Sequence, residues 1–193
     1  MSATTATASS AIAGEVLADF ERALFDRAPA PDQGGDPSQP LRTLTTTIPT
    51  EWVDYNGHTN DSRYAQLSCD AADAFLRLIG MDAEYLRQGH SWFTAESHIS
   101  YLAQSGAGDA VYVTSQVLHH DAKRLHLFNR MHLVADDTLM ATGEHMYLHV
   151  DTTMGKAVPA PQGMQDRIAA IAEPQSSLPR PSQAGRYVGA PRA

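Results

Sequence analysis

Trp52-Val53-Asp54-Tyr55-Asn56-Gly57-His58-Thr59-Asn60 separates a strand-like run from a long helix-like run. Within it a carboxylate, a glycine turn, a histidine and a helix cap fall inside seven residues. Gly57 lets the backbone turn tightly or take positive φ. Asn60 is a good N-cap, and Asp61 places negative charge in the first helical turn, where the dipole favours it. The N–H groups of Asn60, Asp61 and Ser62 have no carbonyl to meet inside a helix that starts here, so they form an anion site. A carbonyl carbon held between Asp54 and those groups would meet a base or nucleophile on one side and an oxyanion hole on the other. That arrangement suits acyl transfer to water. A plainer reading fits the same spacing: Asp54 as a turn former, Asn60 as a cap alone, and His58 as a half-buried hydrogen-bonding residue. Spacing does not choose between them.

Upstream, Leu41 to Ile48 carries Thr at alternate positions and is closed by Pro49, the pattern of a strand. Downstream, Tyr64, Leu67, Ala71, Phe75 and Leu78 recur at spacings of three and four, and Gly80 supplies a C-cap. This predicts a helix of about five turns at 3.6 residues per turn. Four strand candidates follow: Trp92–Leu102, Ala110–His119, Arg124–Val134 and Leu139–Val150. In the first, Phe93, Ala95, Ile99 and Tyr101 alternate with Thr94, Glu96, His98 and Ser100. In the third, Leu125, Leu127, Met131 and Leu133 oppose Arg124, His126, Arg130 and His132. The links 105–109, 120–123 and 135–137 read as turns, and short links require antiparallel neighbours. The expectation is an α+β domain over residues 41–160, a four-strand meander and one further strand wrapped around a single long helix.

Residues 1–40 read as an extension, with an amphipathic helix carried by Ile12, Val16, Phe20 and Leu24 and a Pro/Gly-rich linker from Ala28 to Pro40. Residues 161–193 read as a short helix marked by Met164, Ile168 and Ile171, then a Pro- and Ser-rich tail expected to be disordered. A net charge of −8 lacks the basic footprint of a nucleic-acid binder and disfavours docking on anionic lipid. No apolar run approaches the ~18 residues of a membrane span. Met1–Ser10 shows no basic and then apolar secretion signal. The single Cys69 excludes an intramolecular disulfide and is expected to be a buried structural thiol. A cytoplasmic location is the expectation.

Asp54-x-x-Gly57-His58-x-Asn60, set between a strand and a long helix with four strands after it, resembles the hot-dog-fold acyl-CoA thioesterases of the 4-hydroxybenzoyl-CoA thioesterase type. The resemblance covers roughly residues 41–151. It implies that Asp54 is the catalytic carboxylate and that the backbone N–H of Asp61 is the oxyanion donor, with Gly57 in the adjoining turn. That family often carries an acid two residues before the catalytic one; Trp52 stands there instead. Glu51–His58, Glu96–Leu102 and His120–Phe128 resemble more closely the betainyl-CoA thioesterases, which occur alone or fused to L-carnitine dehydrogenase. The resemblance implies hydrolysis of betainyl-CoA to betaine and CoA, no cofactor beyond the CoA thioester as substrate, and a homodimer or tetramer.

On this reading Asp54 is a general base, or a nucleophile passing through a mixed anhydride. Asn60 and Glu96 help place water, and His58 stands in the same segment without an assigned step. Lys123, Arg124 and Arg130 are candidates for the CoA phosphates. Trp52, Tyr55, Trp92 and also Tyr64 are candidates for a trimethylammonium group, each ring worth about 0.5–2 kcal/mol. Nine histidines raise the question of a metal. Yet His126 with His132, and His145 with His149, sit at alternate strand positions, which a solvated or interface face explains, and no zinc pattern is present. No metal is expected. Two rival functions remain. Asp54-Tyr55-Asn56 with a nearby histidine is similar to the Asp-x-Asn-Pro-x-His motif of hot-dog enoyl-CoA hydratases, but the histidine comes one residue early and Gly57 replaces the proline. A non-catalytic acyl-CoA binding module is the other.

Overall fold

The structure, a computed structural model, describes residue 36 and residues 38–188. The N-terminal helix expected over residues 11–27 and nearly all of the linker lie outside the described residues. The described elements run β1 (Leu41–Thr47), α1 (Asp61–Leu78), α2 (Ala83–Arg87), β2 (His90–Tyr101), β3 (Ala110–His120), β4 (Arg124–Leu133), β5 (Leu139–Asp151), β6 (Lys156–Ala157) and α3 (Gln162–Gln175). Each expected strand is present, with ends moved by a residue or two.

The strand order is β1-β3-β4-β5-β2, antiparallel throughout, with β6 beside β5. β2 therefore lies against β5 and not against β3, and the expected four-strand meander holds only from β3 to β5. The cause is the link from residue 102 to residue 109. It is too long for a hairpin turn and crosses the end of the sheet. Leu102 and Ala103 donate to the Met140 carbonyl at 2.8 and 2.9 Å, and Gly108 donates to the Ile48 carbonyl at 2.8 Å.

α1 lies on one face of this sheet and touches all five long strands. Its Leu67, Ala71 and Phe75 are fully buried, as the three-and-four spacing predicts. Asn60 caps the helix by accepting from the Ser62 N–H at 3.1 Å. Sheet and helix approach closely at Gly143, where a Cβ would overlap Ser68 Oγ and stand 2.7 Å from His145 Nε2. This is the hot-dog arrangement, a curled antiparallel sheet around one long helix.

The packed face also holds a buried polar chain. Thr43 and Ser115 share a hydrogen bond at 2.8 Å, Ser115 donates to Asn129 Oδ1 at 2.8 Å, and Asn129 Nδ2 donates to Ser68 Oγ at 3.0 Å. Ser68 Oγ meets His145 Nε2 at 2.6 Å, and His145 Nδ1 meets Ser97 Oγ at 2.8 Å. The chain thus runs from edge strand β1 to edge strand β2, each member supplying the next one's partner, as buried polar groups require. His145 and His149, expected on a solvated or interface face, are 3% and 0% exposed. Burial pushes the His145 pKa down to about 4.

Two further expectations are corrected. Trp92 is 5% exposed and Phe93 53%, so the face predicted to carry Phe93 is reversed at that end of β2. A β-bulge between Thr94 and Glu96 inserts one residue and switches the parity, which returns Ile99 to the core side. Residues 176–188, expected to be disordered, follow a set path. Arg180 reaches Glu144 at 3.9 Å and the Gly185 N–H donates to Glu144 Oε2 at 2.7 Å.

Candidate active site

The Asp54 segment is a pinned turn. Val53 and Thr59 form an isolated antiparallel bridge. Between them the Asp54 N–H donates to the His58 carbonyl and the Gly57 N–H to the Asp54 carbonyl, both at 3.0 Å. Asp54 Oδ1 accepts the Asn56 N–H at 2.8 Å, and Gly57 takes a φ of +78°. Thr59 donates to the Ser105 carbonyl at 2.8 Å and Asn60 to the Trp52 carbonyl at 2.9 Å. These bonds fasten the turn to the crossing link and to the helix start. Asp54 is half-buried, with its second carboxylate oxygen free of any hydrogen bond among the described residues.

The helix start offers one open donor. The Asn60 N–H is spent on Trp52, the Ser62 N–H on Asn60 Oδ1 and Asp61 Oδ1, and the Arg63 N–H on the Asn60 carbonyl. The Gly57 N–H is committed to its own turn, so Gly57 is not an oxyanion donor. Only the Asp61 N–H in this group has no acceptor among the described residues.

Asp54, His58, Asp61, Tyr64, Tyr101 and Gln104 line a cavity of about 700 Å³. Tyr64 and Tyr101 meet edge to face at 5.5 Å, Tyr101 donates to the Asp61 carbonyl at 3.4 Å, and Tyr64 pairs with Ser105 Oγ at 3.2 Å. Two tyrosines thus brace the first turn of α1. Tyr101 closes the Glu96–Leu102 stretch and Tyr64 opens the apolar period of the helix, but neither position revealed that the two rings meet over the cap. Asn60 caps the helix and is not among the residues that line the cavity.

Other candidates lie elsewhere in the chain. Glu96 is exposed on β2 and lines a different cavity with His98, His126 and Glu144. Lys123 and Arg124 sit at the β3–β4 turn, whereas the Asp54 cavity adjoins the other end of the sheet. The length of β4 separates them, about 30 Å at ~3.3 Å per residue. Arg124 pairs with Asp121, and its hydrogen bond helps hold that carboxyl down to about 2. Lys123 Nζ donates to the Ala157 carbonyl at 3.4 Å. Arg130 is half-buried against Gln116 Oε1 at 3.2 Å. Of the four aromatic candidates only Tyr64 lines the Asp54 cavity, and the other three do not converge on it. Tyr55 is 96% exposed, Trp52 has the Arg63 guanidinium over its ring at 5.5 Å, and Trp92 is in the core with its N–H on Met164 Sδ at 3.2 Å.

A second cavity of about 360 Å³ opens farther along α1, lined by Cys69, Asp73, Leu76, Trp92, Phe93 and Tyr147 among others. Cys69 is exposed there, not the buried thiol expected. Desolvation, and then the charges of Asp73 and Asp70, push its pKa up, which keeps the thiol neutral. Burial, reinforced by Asp70, pushes Asp73 up to about 6. The sequence reading missed Asp73; its signal was a carboxylate inside the apolar run from Ala71 to Leu76.

Residues 48–168 match the family described as the thioesterase-like superfamily. An L-carnitine dehydrogenase/betainyl-CoA thioesterase of Rhizobium meliloti is 45% identical over 180 residues, 93% of this chain but 36% of that protein. The chain therefore spans about a third of the length of that relative. A betainyl-CoA thioesterase of Pseudomonas aeruginosa is 38% identical over 155 residues, 80% of this chain and 98% of that protein. Among solved structures, a Staphylococcus aureus protein determined in complex with CoA superposes with a TM-score of 0.72 at 29% identity, covering 76% of this chain and 93% of that one.

Proposed function

This chain belongs to the thioesterase-like superfamily, and from that premise we propose that it hydrolyses an acyl-CoA thioester, specifically betainyl-CoA, to betaine and free CoA. The names of the relatives support the substrate, above all the Pseudomonas protein that the chain matches over nearly its whole length. The observation that carries the chemistry is the open Asp61 N–H beside the half-free Asp54 carboxylate on one cavity.

The thioester carbonyl oxygen lies at the Asp61 N–H, where the positive end of α1 adds to the hydrogen bond as charge develops. Removal of one such donor typically costs about 10²–10³-fold in rate. Asp54 Oδ1 is tied to the Asn56 N–H and fixes the carboxylate, and Oδ2 activates water or attacks the carbonyl. In a single turnover in ¹⁸O-water, label in the Asp54 carboxylate establishes attack by Asp54, the thiolate of CoA leaving as the mixed anhydride forms and water then opening that anhydride at the Asp54 carbon. Asp54→Asn keeps the acceptor for Asn56 and so keeps the turn. Its free-CoA release is expected to fall at least about 10²-fold with an unchanged circular dichroism spectrum; turnover at the wild-type rate would refute the assignment. The hydratase reading has less support: among the described residues no hydrogen bond joins the Asp54 and His58 side chains.

The working unit is a homodimer through the outer edge of β2. That edge is bare for twelve residues among the described ones and presents Phe93 and Tyr101, each about half exposed. A long unpaired edge offers a row of backbone N–H and C=O groups to another strand. Antiparallel pairing of two β2 edges runs the two α1 helices antiparallel on one face of a continuous sheet. The Lys123–Arg124 turn of one chain then lies toward the Asp54 cavity of the other, within the span of a CoA molecule.

A further inference from the structure

Asp73 has no hydrogen-bond or ion-pair partner among the described residues, although it is half-buried. A desolvated carboxylate without a counter-charge is unfavourable unless a ligand supplies one. The cavity it faces contains no Lys, Arg or His. Phe93 gives it open ring surface, and the largely buried Trp92, Tyr147 and Leu76 form its floor. The Trp92 N–H is already spent on Met164, which leaves the indole only its apolar surface to offer a ligand. One carboxylate is too few for a hard divalent cation, which needs several oxygen ligands. A quaternary ammonium fits instead: it has no N–H to satisfy, spreads its charge over methyl groups, and is held by rings and one anion together.

Reach decides which reaction centre this pocket serves. Asp73 lies twelve residues beyond Asp61, about 18 Å along α1 at 1.5 Å per residue. In a betainyl group the nitrogen stands two bonds from the carbonyl carbon, about 2.5 Å away with ordinary C–C and C–N lengths. A substrate seated at Asp54 cannot reach Asp73 of its own chain. Antiparallel α1 helices across a two-fold axis bring the Asp73 end of one beside the Asp61 end of the other. We infer that Asp73, Trp92, Phe93 and Tyr147 form a quaternary-ammonium subsite that receives the head group of the acyl chain whose carbonyl sits at the Asp54 cavity of a second copy. This rests on the proposed hydrolysis.

The test compares kcat/KM for betainyl-CoA with that for 3,3-dimethylbutanoyl-CoA, a neutral thioester of the same shape. The wild-type protein prefers the cation. Asp73→Asn is expected to lower the ratio of the two efficiencies about tenfold or more. Phe93→Ala, on the edge that forms the proposed dimer and therefore assayed as a species of unchanged mass by light scattering, is expected to lower it about two- to fivefold. An unchanged ratio in both variants overturns the subsite. Heterodimers of an Asp54→Asn chain with an Asp73→Asn chain, isolated by two different tags, place the pocket. If it serves the other chain, one complete site is rebuilt, and the wild-type ratio returns at about half the wild-type rate. A ratio that stays at the Asp73→Asn value overturns the placement. A wild-type protein that cleaves neither thioester removes the hydrolase reading itself, whereas equal cleavage of both removes the subsite alone.

Discussion

Acidification from pH 7 to pH 4 protonates His145 in the unfolded chain well before it does so in the folded one. The ring is 3% exposed and lies between Ser68 Oγ at 2.6 Å and Ser97 Oγ at 2.8 Å. Burial lowers its folded pKa from 6.5 to about 4, and the Glu144 charge opposes this only in part. Above pH 6.5 both states are neutral and nothing is lost. Between about 6.5 and about 4 the unfolded chain binds a proton that the folded chain refuses, so stability falls as pH falls; below about 4 the loss levels off. That gap corresponds to about 3 kcal/mol. Asp73 acts with the opposite sign: its folded pKa is raised to about 6, so the folded chain takes up its proton first and gains relative stability as pH falls from about 6 toward 3.8. The two contributions partly cancel in the wild-type profile. His145→Gln separates them, because everything but the imidazole titration is shared. Urea unfolding followed by tryptophan fluorescence at pH 7, 6, 5 and 4, at one protein concentration, gives the comparison. The variant is expected to be less stable at pH 7 yet to lose about 3 kcal/mol less on acidification. Equal losses in the two proteins would show that His145 does not govern the acid limb.

Gly143→Ala places a methyl group against Ser68 Oγ and 2.7 Å from His145 Nε2. Both belong to packed elements that cannot yield, so a loss of about 1–3 kcal/mol in urea unfolding is expected. Asn60→Ala removes the cap on α1, for which about 0.5–2 kcal/mol is expected. The same change loosens the turn that aims the Asp61 N–H, so kcat for free-CoA release should fall more than KM rises.

The Asp54 turn and the cap were legible because their chemistry is local: an Asp that accepts from the N–H two residues on, a glycine at positive φ, an Asn over the first helical turn. α1 was legible because its buried residues keep the 3.6-residue period. What escaped depends on pairing across the chain. β2 beside β5 follows from a link fastened to Met140 and Ile48, and nothing in residues 102–109 names those partners. The reversed face of Phe93 follows from a bulge, which alternation cannot anticipate. His145 and His149 share a face in any strand, but that the face is the core depends on Ser68, Asn129 and Tyr85 arriving from other elements to satisfy them. The aromatic residues failed as a set for the same reason. Trp52, Tyr55 and Trp92 are near the motif or near the strand start in sequence, but the fold sends one to solvent and one to the core.

The distribution of charge bears on why one chain is half a site. The protein carries a net −8, and the substrate proposed for it is a polyanion joined to a cationic acyl group. Among the described residues lining the Asp54 cavity there is neither Lys nor Arg, and two of the liners are carboxylates, Asp54 and Asp61. That surroundings would repel the phosphates of CoA while leaving the thioester free to meet the Asp61 N–H. Lys123 and Arg124 lie at the far end of the sheet, and Asp73 with its three rings lies toward that same end. Lys123, Arg124 and the ammonium-attracting groups therefore share one end of the chain, and the reacting groups occupy the other, where Arg63 is turned over the Trp52 ring and does not line the cavity. A second chain turned end for end is the simple operation that superposes the two sets. It accounts for the bare β2 edge, the exposed Phe93 and the carboxylate without a partner through one interface.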